Sequence, residues 1–432
     1  MVRLMEERMS LKMDLVALAL VAGAAVATQQ ARAADIRVAC YSDGNECEAT
    51  EAMSAGFMKD NPDIRIIIDK MPYAAILQSL PVQLAAGNGP DIARVTDFGP
   101  IMKYFLDMRP YLKDADYWDK NFGAVLDWMR ASKDDKGIYG LPTQLTVTGA
   151  MVDKSLFDQA GVPLPGPTAT WDDWAAAVDK VAKATKTPYG MAWDRSGHRF
   201  AGPAISYGAK YFAPDGTPSV IDDGYKAMAS RFVKWNQDGT VDKDVWVAAG
   251  SGYRDAFDEF SNAKIVLYLS GSWQLKRLEK QIGDAFEWVV VGDPCGPASC
   301  SGMPGGASFV AFKQTKNPKE VARYLDWLAG EKTYAELMSK TANIPASASL
   351  QKTGVTYDLT PAGNAGMKAF VEAATKLSPV AYQLQGYPYS RSVFNPTVDR
   401  LSQVIAGQIT LDQAYQRITS DVAEALAAAM KK

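Results

Sequence analysis

From residue 35 onward the apolar positions alternate between short continuous runs and stretches of helical spacing. Asp35 to Ala39 reads as a buried strand, and Asn45 to Asp60 carries Ala49, Ala52, Met53, Gly56 and Phe57 at helical spacing before Asn61-Pro62 stops it. Ile64 to Asp69 is a second strand, Ala74 to Ala86 a second helix ended by Gly87-Asn88-Gly89-Pro90, and Asp91 to Thr96 a third strand. This alternation predicts an open α/β sheet with right-handed crossovers, on which ligands sit beyond the carboxyl ends of the strands. A different register begins near Tyr139, where Leu145 to Val152 is apolar and Thr-rich. A helix over Lys154 to Ala160 ends at Gly161, Pro163, Pro165 and Pro167 stiffen a loop, and Thr170 is placed to cap the next helix. Ala307 to Phe312 reads as a strand, Pro318 to Lys340 as helices, and Thr410 to Met430 as one amphipathic helix.

A chain of 432 residues is too long for one core and predicts two domains. Its start adds a compartment. Basic residues up to Lys12 precede an apolar run of about 14 residues, Leu15 to Thr28, and Ala31-Arg32-Ala33 follows as a small-x-small cleavage signal. A membrane span needs roughly 20 residues, so residues 1–33 are expected to be a cleaved secretory signal, with Met9 and Met13 as alternative initiators. Arg37 stands three residues before Cys40, where a lipoprotein signal would carry an apolar residue. A soluble periplasmic protein is therefore expected. In an oxidising compartment the simplest assignment of the four cysteines is two local disulfides, Cys40 with Cys47 and Cys295 with Cys300, with a four-cysteine zinc site as the alternative. The balance of 46 basic and 49 acidic residues, without a long basic run, leaves no footprint for nucleic acid.

Several segments, in this order along the chain, carry a resemblance: Ala85-Ala86-Gly87-Asn88-Gly89-Pro90-Asp91-Ile92, Tyr139-Gly140-Leu141-Pro142, Gly271-Ser272-Trp273, and Pro304-Gly305-Gly306-Ala307 followed by Asn317-Pro318. Together they resemble the family 1 extracellular solute-binding proteins of ABC importers, the cluster that holds the maltose-binding and glycerol-3-phosphate-binding proteins. The resemblance implies a type II periplasmic-binding-protein fold, an α/β architecture of two lobes, each a mixed sheet flanked by helices, joined by a hinge. It places one lobe at 35–142 with 305–355 and the other at 143–304 with 356–432. It implies a monomer that closes on a sugar or sugar-like ligand, docks on the membrane permease subunits, and uses no cofactor and no catalytic residue.

A sugar site needs aromatic platforms for C–H faces and paired hydrogen bonds for hydroxyls. Tyr41, Ser42 and Asp43 follow the first strand and open the first helix, and Asp97 follows the third strand, the places where an α/β sheet presents ligands. The resemblance points to Gly271, Ser272 and above all Trp273, and to Trp193 in the polar run Trp193 to Arg199. Gly305 and Gly306 would admit close backbone approach or form a hinge, and Tyr389 and Arg391 complete the candidates. His198, the only histidine, is expected on a surface loop, and Trp118, Trp128, Trp171, Trp174, Trp235 and Trp246 are expected to be structural. One histidine leaves little room for a Ser-His-Asp triad or a His-rich metal site, whereas a carboxylate pair for glycoside hydrolysis is compatible with the composition. Arg94, Arg195, Arg199 and Arg391 keep open an anionic polyol or sugar derivative, such as a glycerol phosphate, a sulfonated sugar or a uronide, in place of a neutral saccharide.

Overall fold

The computed structural model describes residues 33–247 and 252–430; residues 1–32 of the expected secretory signal lie outside them. Among the described residues eight strands form one sheet: β1 Ala34–Cys40, β2 Ile64–Lys70, β3 Ile92–Val95, β4 Gly140–Asp153, β5 Tyr189–Trp193, β6 Ile265–Gly271, β7 Trp288–Gly292 and β8 Pro304–Ala311. Their order is β2-β1-β3-β8-β4-β6-β5, with β7 also on β4. β1 pairs in parallel with β2 and β3, as the strand–helix rhythm requires, and β8 joins β3 antiparallel. Helices cover the sheet, so the fold is mixed α/β. Among the described residues no helix is long and apolar enough to cross a membrane.

The side chains divide into two cores. The first is built from residues 36–141 and 309–350, with Phe57, Trp118 and Phe309 among its members. The second runs from Val147 to Met303 and from Met367 to Val422, with Ala342 and Ile344 joining it. β4 and β8 pass between them. The first half of β4 pairs antiparallel with β8 from Gly140↔Val310 to Val147↔Pro304, and its second half pairs with β6 and β7. Glycine is required in this ladder: a Cβ at Gly306 would stand 2.5 Å from the Gln144 carbonyl oxygen, and one at Gly305 would stand 2.7 Å from Thr146 Oγ1.

Local chemistry explains the element limits. Thr170 and Asp173 form a reciprocal capping box at the helix Trp171–Thr185. Gly161, at φ 61°, ends the helix Lys154–Ala160 in the left-handed region that glycine adopts freely. The single helix expected over Ala74 to Ala86 is two, Tyr73–Gln78 and Leu80–Ala85. Pro81 has no N–H to donate to the preceding turn, so the ladder is interrupted at Ser79. The cysteines pair locally, Cys40 with Cys47 and Cys295 with Cys300. The first bridge ties the end of β1 to the helix Glu46–Asp60.

Trp193 is fully buried in the second core, its ring stacked on Phe232 at 4.6 Å and tilted against Trp171 at 4.9 Å. Trp174, Trp235 and Trp246 lie in the same core, Trp118 lies in the first, and Trp128 packs against the first from partial exposure. Trp193→Ala is therefore expected to cost about 3–5 kcal/mol of stability through the cavity it leaves, measured as a fall in the urea midpoint followed by tryptophan fluorescence.

Candidate functional site

A cavity lies between the two cores, with about 990 Å³ of non-atom space, part of it open to solvent. Its first wall comes from the ends of β1, β2 and β3. Tyr41 and Asp43 sit in the turn after β1, and the Glu46 carboxylate accepts from the backbone N–H groups of Asp43 (2.9 Å) and Gly44 (3.0 Å), shaping that turn. Arg94, buried on β3, donates to the Tyr41 carbonyl at 3.0 Å and to Gln144 Oε1 at 2.7 Å. Its guanidinium lies 4.1 Å from the Tyr41 ring centroid and 3.4 Å from the carboxylates of Asp43 and Glu46. Burial pushes the Asp43 carboxyl up to about 6, with the Arg94 charge opposing it.

Asp97 and Arg391 meet across the cavity, with Arg391 Nε 2.7 Å from Asp97 Oδ2. Arg391 Nη2 also donates to the Tyr73 hydroxyl at 2.9 Å, and that hydroxyl pairs with Thr96 Oγ1 at 2.8 Å. Burial raises the Asp97 carboxyl above the usual carboxylate range while Arg391 opposes the shift. The Tyr73 ring meets Tyr253 edge-on at 6.0 Å. Segments packed on the first core thus touch segments packed on the second through an ion pair, a hydrogen bond and a ring contact.

The second wall is organised by Asp194, at the end of β5. It is fully buried and accepts from the hydroxyls of Ser270 (2.6 Å), Tyr268 (2.7 Å) and Tyr253 (2.8 Å), with Arg199 Nε at 3.4 Å. Burial raises this carboxyl, and Arg199 opposes it. Arg199 stands 4.2 Å over the Trp273 ring. Gln144, Thr146, Gly305 and Gly306 line the cavity from the crossing strands.

Of the twelve expected binding residues, Tyr41, Asp43, Asp97, Trp273, Gly305, Gly306 and Arg391 line the cavity, and five do not. Ser42 faces solvent: its hydroxyl accepts from Cys47 N–H and donates to the Glu48 carboxylate, both at 3.0 Å, so it serves the helix start. Trp193 is core. Gly271 is a spacer, because a Cβ there would overlap the Trp273 ring. Ser272 is buried and its hydroxyl accepts from Val147 N–H at 3.3 Å. Tyr389 packs edge-on against Tyr387 at 5.8 Å.

His198 is not on a surface loop. It opens the helix Gly197–Ser206 and lines the cavity. The polarity of the run from Trp193 to Arg199 has its explanation here, since Asp194, Arg195 and Arg199 are all buried and hydrogen-bonded. Tyr73 was missed although it follows β2 as Tyr41 follows β1, a signal the sequence carried. Gln144 and Thr146 were legible as polar positions in an apolar strand. Tyr253, Gln385, Phe394 and Asn395 had no local signal, because only tertiary packing brings them to the cavity.

The family model for bacterial extracellular solute-binding proteins matches residues 44–335. A multiple sugar-binding protein of Streptococcus mutans is 22% identical over 338 residues, covering 74% of this chain and 76% of that protein. An ABC substrate-binding protein from Listeria monocytogenes, solved in complex with cycloalternan, superposes with a TM-score of 0.77 at 20% identity, covering 91% of this chain and 99% of that one. A solute-binding protein from Thermotoga lettingae, bound with α-D-tagatose, gives 0.75 at 16% identity, with 91% and 100% covered.

One further carboxyl belongs to this region's electrostatics. Asp293 follows β7, and Thr148 Oγ1 lies 3.4 Å from its Oδ1. Its Oδ2 has no hydrogen-bond partner among the described residues. Burial pushes this carboxyl up to about 8, against the Thr148 hydrogen bond and the Arg199 charge. The folded state therefore holds a proton here that the unfolded chain releases near pH 4, so stability falls as pH rises from about 4 to about 8. Asp293→Asn removes that ionisation. The variant is expected to match or exceed the parent's melting temperature at pH 8 and to show a flatter profile between pH 5 and 8 by calorimetry.

Proposed function

The chain belongs to the bacterial extracellular solute-binding proteins, and on that premise we propose that it captures a neutral sugar between two closing halves and delivers it unchanged to an ATP-driven importer. The observation that carries this reading is the cavity at the junction of two cores, lined by the rings of Tyr41, Tyr73, Tyr253 and Trp273 beside hydrogen-bonding groups of both signs. Rings suit the C–H faces of a pyranose, and amides, carboxylates and guanidinium groups suit its hydroxyls. The relatives bind molecules of this kind, from tagatose to cycloalternan.

The arginines favour a neutral guest over an anionic one. Arg94 faces Asp43 and Glu46, Arg391 faces Asp97, and Arg199 faces Asp194. Arg195 donates to the carbonyls of Trp246 and Gly252, both at 2.9 Å, with the Asp399 carboxylate acting on its charge. Three of the four guanidinium groups thus face a carboxylate within the protein and the fourth, Arg195, is held by backbone carbonyls, whereas recognition of a phosphate or uronate would call for a guanidinium left open to it. The same pairing argues against glycoside hydrolysis, since Asp43 and Asp97 are each held by an arginine. Closure would bend the two crossing strands, β4 and β8, and would be stabilised by contacts that neither half supplies alone.

Thermal-shift screening of the protein without residues 1–33 tests the reading. Neutral mono- and oligosaccharides are expected to raise the melting temperature, a ligand at one hundred times its Kd stabilising by about 2.7 kcal/mol. Stabilisation by uronates or polyol phosphates alone would replace the neutral guest with an anionic one, and no response to any saccharide would remove the function. Closure has its own test at Gly99, where a Cβ would overlap the Pro388 carbonyl across the junction of the two cores. Gly99→Ala is expected to weaken sugar binding about tenfold or more and to abolish the ligand-induced contraction seen by small-angle X-ray scattering, with the circular dichroism spectrum unchanged.

A further inference from the structure

We propose that His198 is a positioning residue that fixes the Arg199 guanidinium over Trp273 and links it to the crossing strand β8. Both residues stand in the first turn of the helix Gly197–Ser206, which Ser196 opens by accepting from His198 N–H at 3.2 Å. The backbone of Phe394 closes on this turn, since a Cβ at Gly197 would lie 2.5 Å from the Phe394 carbonyl oxygen. The ring of His198 has a partner on each nitrogen. Nε2 lies 2.9 Å from the Pro304 carbonyl oxygen, and Nδ1 lies 2.6 Å from Arg199 Nη1.

Pro304 and Arg199 between them admit one state of the ring, and Gln385, which also hydrogen-bonds it, has an amide that can donate or accept and so fits that state. A carbonyl oxygen only accepts, so Nε2 must carry the hydrogen; a guanidinium only donates, so Nδ1 must offer its lone pair. The other tautomer would oppose two N–H groups at one edge and two lone pairs at the other. A protonated imidazole would oppose its N–H to that of Arg199. The charged and polar groups facing the ring are Arg199 on its own helix, Arg391 on the helix Ser390–Ile405 and Gln385 on the helix Pro379–Gly386. Burial, and next to it the Arg199 charge, holds the imidazole down at about 3, consistent with a neutral ring.

Arg199 is thereby held from two sides. Nη1 is on His198 and Nε lies 3.4 Å from Asp194, with the guanidinium carbon 4.2 Å from the Trp273 ring centroid. Two fixed partners set the plane of the fork, and that plane determines which N–H groups remain for a guest. Pro304 is the first residue of β8 and pairs with Val147, so a bend in the crossing ladder moves the carbonyl that orients His198 and, through it, Arg199. This consequence for a guest rests on the sugar-site reading above; the state of the ring does not.

The chain has one histidine, so its imidazole gives a single set of signals. Long-range ¹H–¹⁵N correlation on the ligand-free, untagged protein is expected to show only the Nε2–H tautomer, without titration between about pH 8 and about pH 5. An Nδ1–H tautomer, or a midpoint near 6.5, the ordinary value for this side chain, would overturn the proposal. The Arg199 Nε–H resonance, assigned by its absence in Arg199→Lys, is expected to be shifted upfield by the Trp273 ring. His198→Asn, whose side-chain oxygen can stand in for the Nδ1 acceptor, is expected to keep that shift, and His198→Phe to lose it. Retention in His198→Phe, or loss in His198→Asn, sinks the positioning role. If His198→Phe does not fold, the tautomer and His198→Asn still decide. A protein that passes these measurements yet binds no saccharide would refute the sugar site and leave the role of His198 standing.

Discussion

The close antiparallel pairing of β4 with β8 is the constraint on which the rest of the structure depends. It is the ladder that carries the chain from one core to the other, and it is too tight for side chains at the positions where glycine occurs. At Gly140 a Cβ would press on the backbone of Phe309 and Val310, and at Gly306 on that of Gln144. Hydrogen-bonded backbone, not side-chain packing, therefore makes this connection, and a two-strand ribbon bends more readily than a packed interface. Because the ribbon passes the junction of the cores, Gln144, Thr146, Gly305 and Gly306 face the cavity.

The cavity walls follow a second physical rule. Charges removed from water must be paired and hydrogen-bonded, or their burial is too costly. The site meets this rule with arginines that each serve several partners. Arg94 joins a ring, a carbonyl, an amide and two carboxylates; Arg391 joins a carboxylate and a phenol that belong to the opposite wall. Asp194 has the complementary role, a buried acceptor satisfied by three hydroxyls and a guanidinium. The result is a preorganised polar surface between aromatic rings, with side-chain rotamers fixed before any guest arrives.

The fold was legible in the sequence wherever period and punctuation agreed. Ile36, Val38, the helical spacing through Phe57 and the stop at Asn61-Pro62 led to β1 and its helix, and Thr170 announced its cap. Ends of strands were equally informative: Tyr41, Asp43 and Asp97 line the cavity because α/β topology brings those turns together. What the sequence could not settle was orientation. Ser42 lies beside two lining residues yet serves a helix start, and Trp193 lies beside a polar run yet points into the core, since neighbours in a turn or at a strand end face opposite ways. Gly271 entered only with the resemblance of its turn, and its place there is set by the Trp273 ring two residues on, which leaves no room for a Cβ. His198 looked like a surface residue because the carbonyl that holds its ring belongs to Pro304, far along the chain, and only the fold brings the two together.

The cancellation of charge within the cleft has a consequence for how quickly a solute is captured. A cavity whose cations are matched by its own anions projects little potential beyond its rim, and the chain as a whole carries a formal charge of only −3. Encounter is then governed by diffusion and by the width of the opening, without long-range steering. Even a charged solute would accordingly be drawn in only weakly from a distance, and its on-rate would depend little on ionic strength.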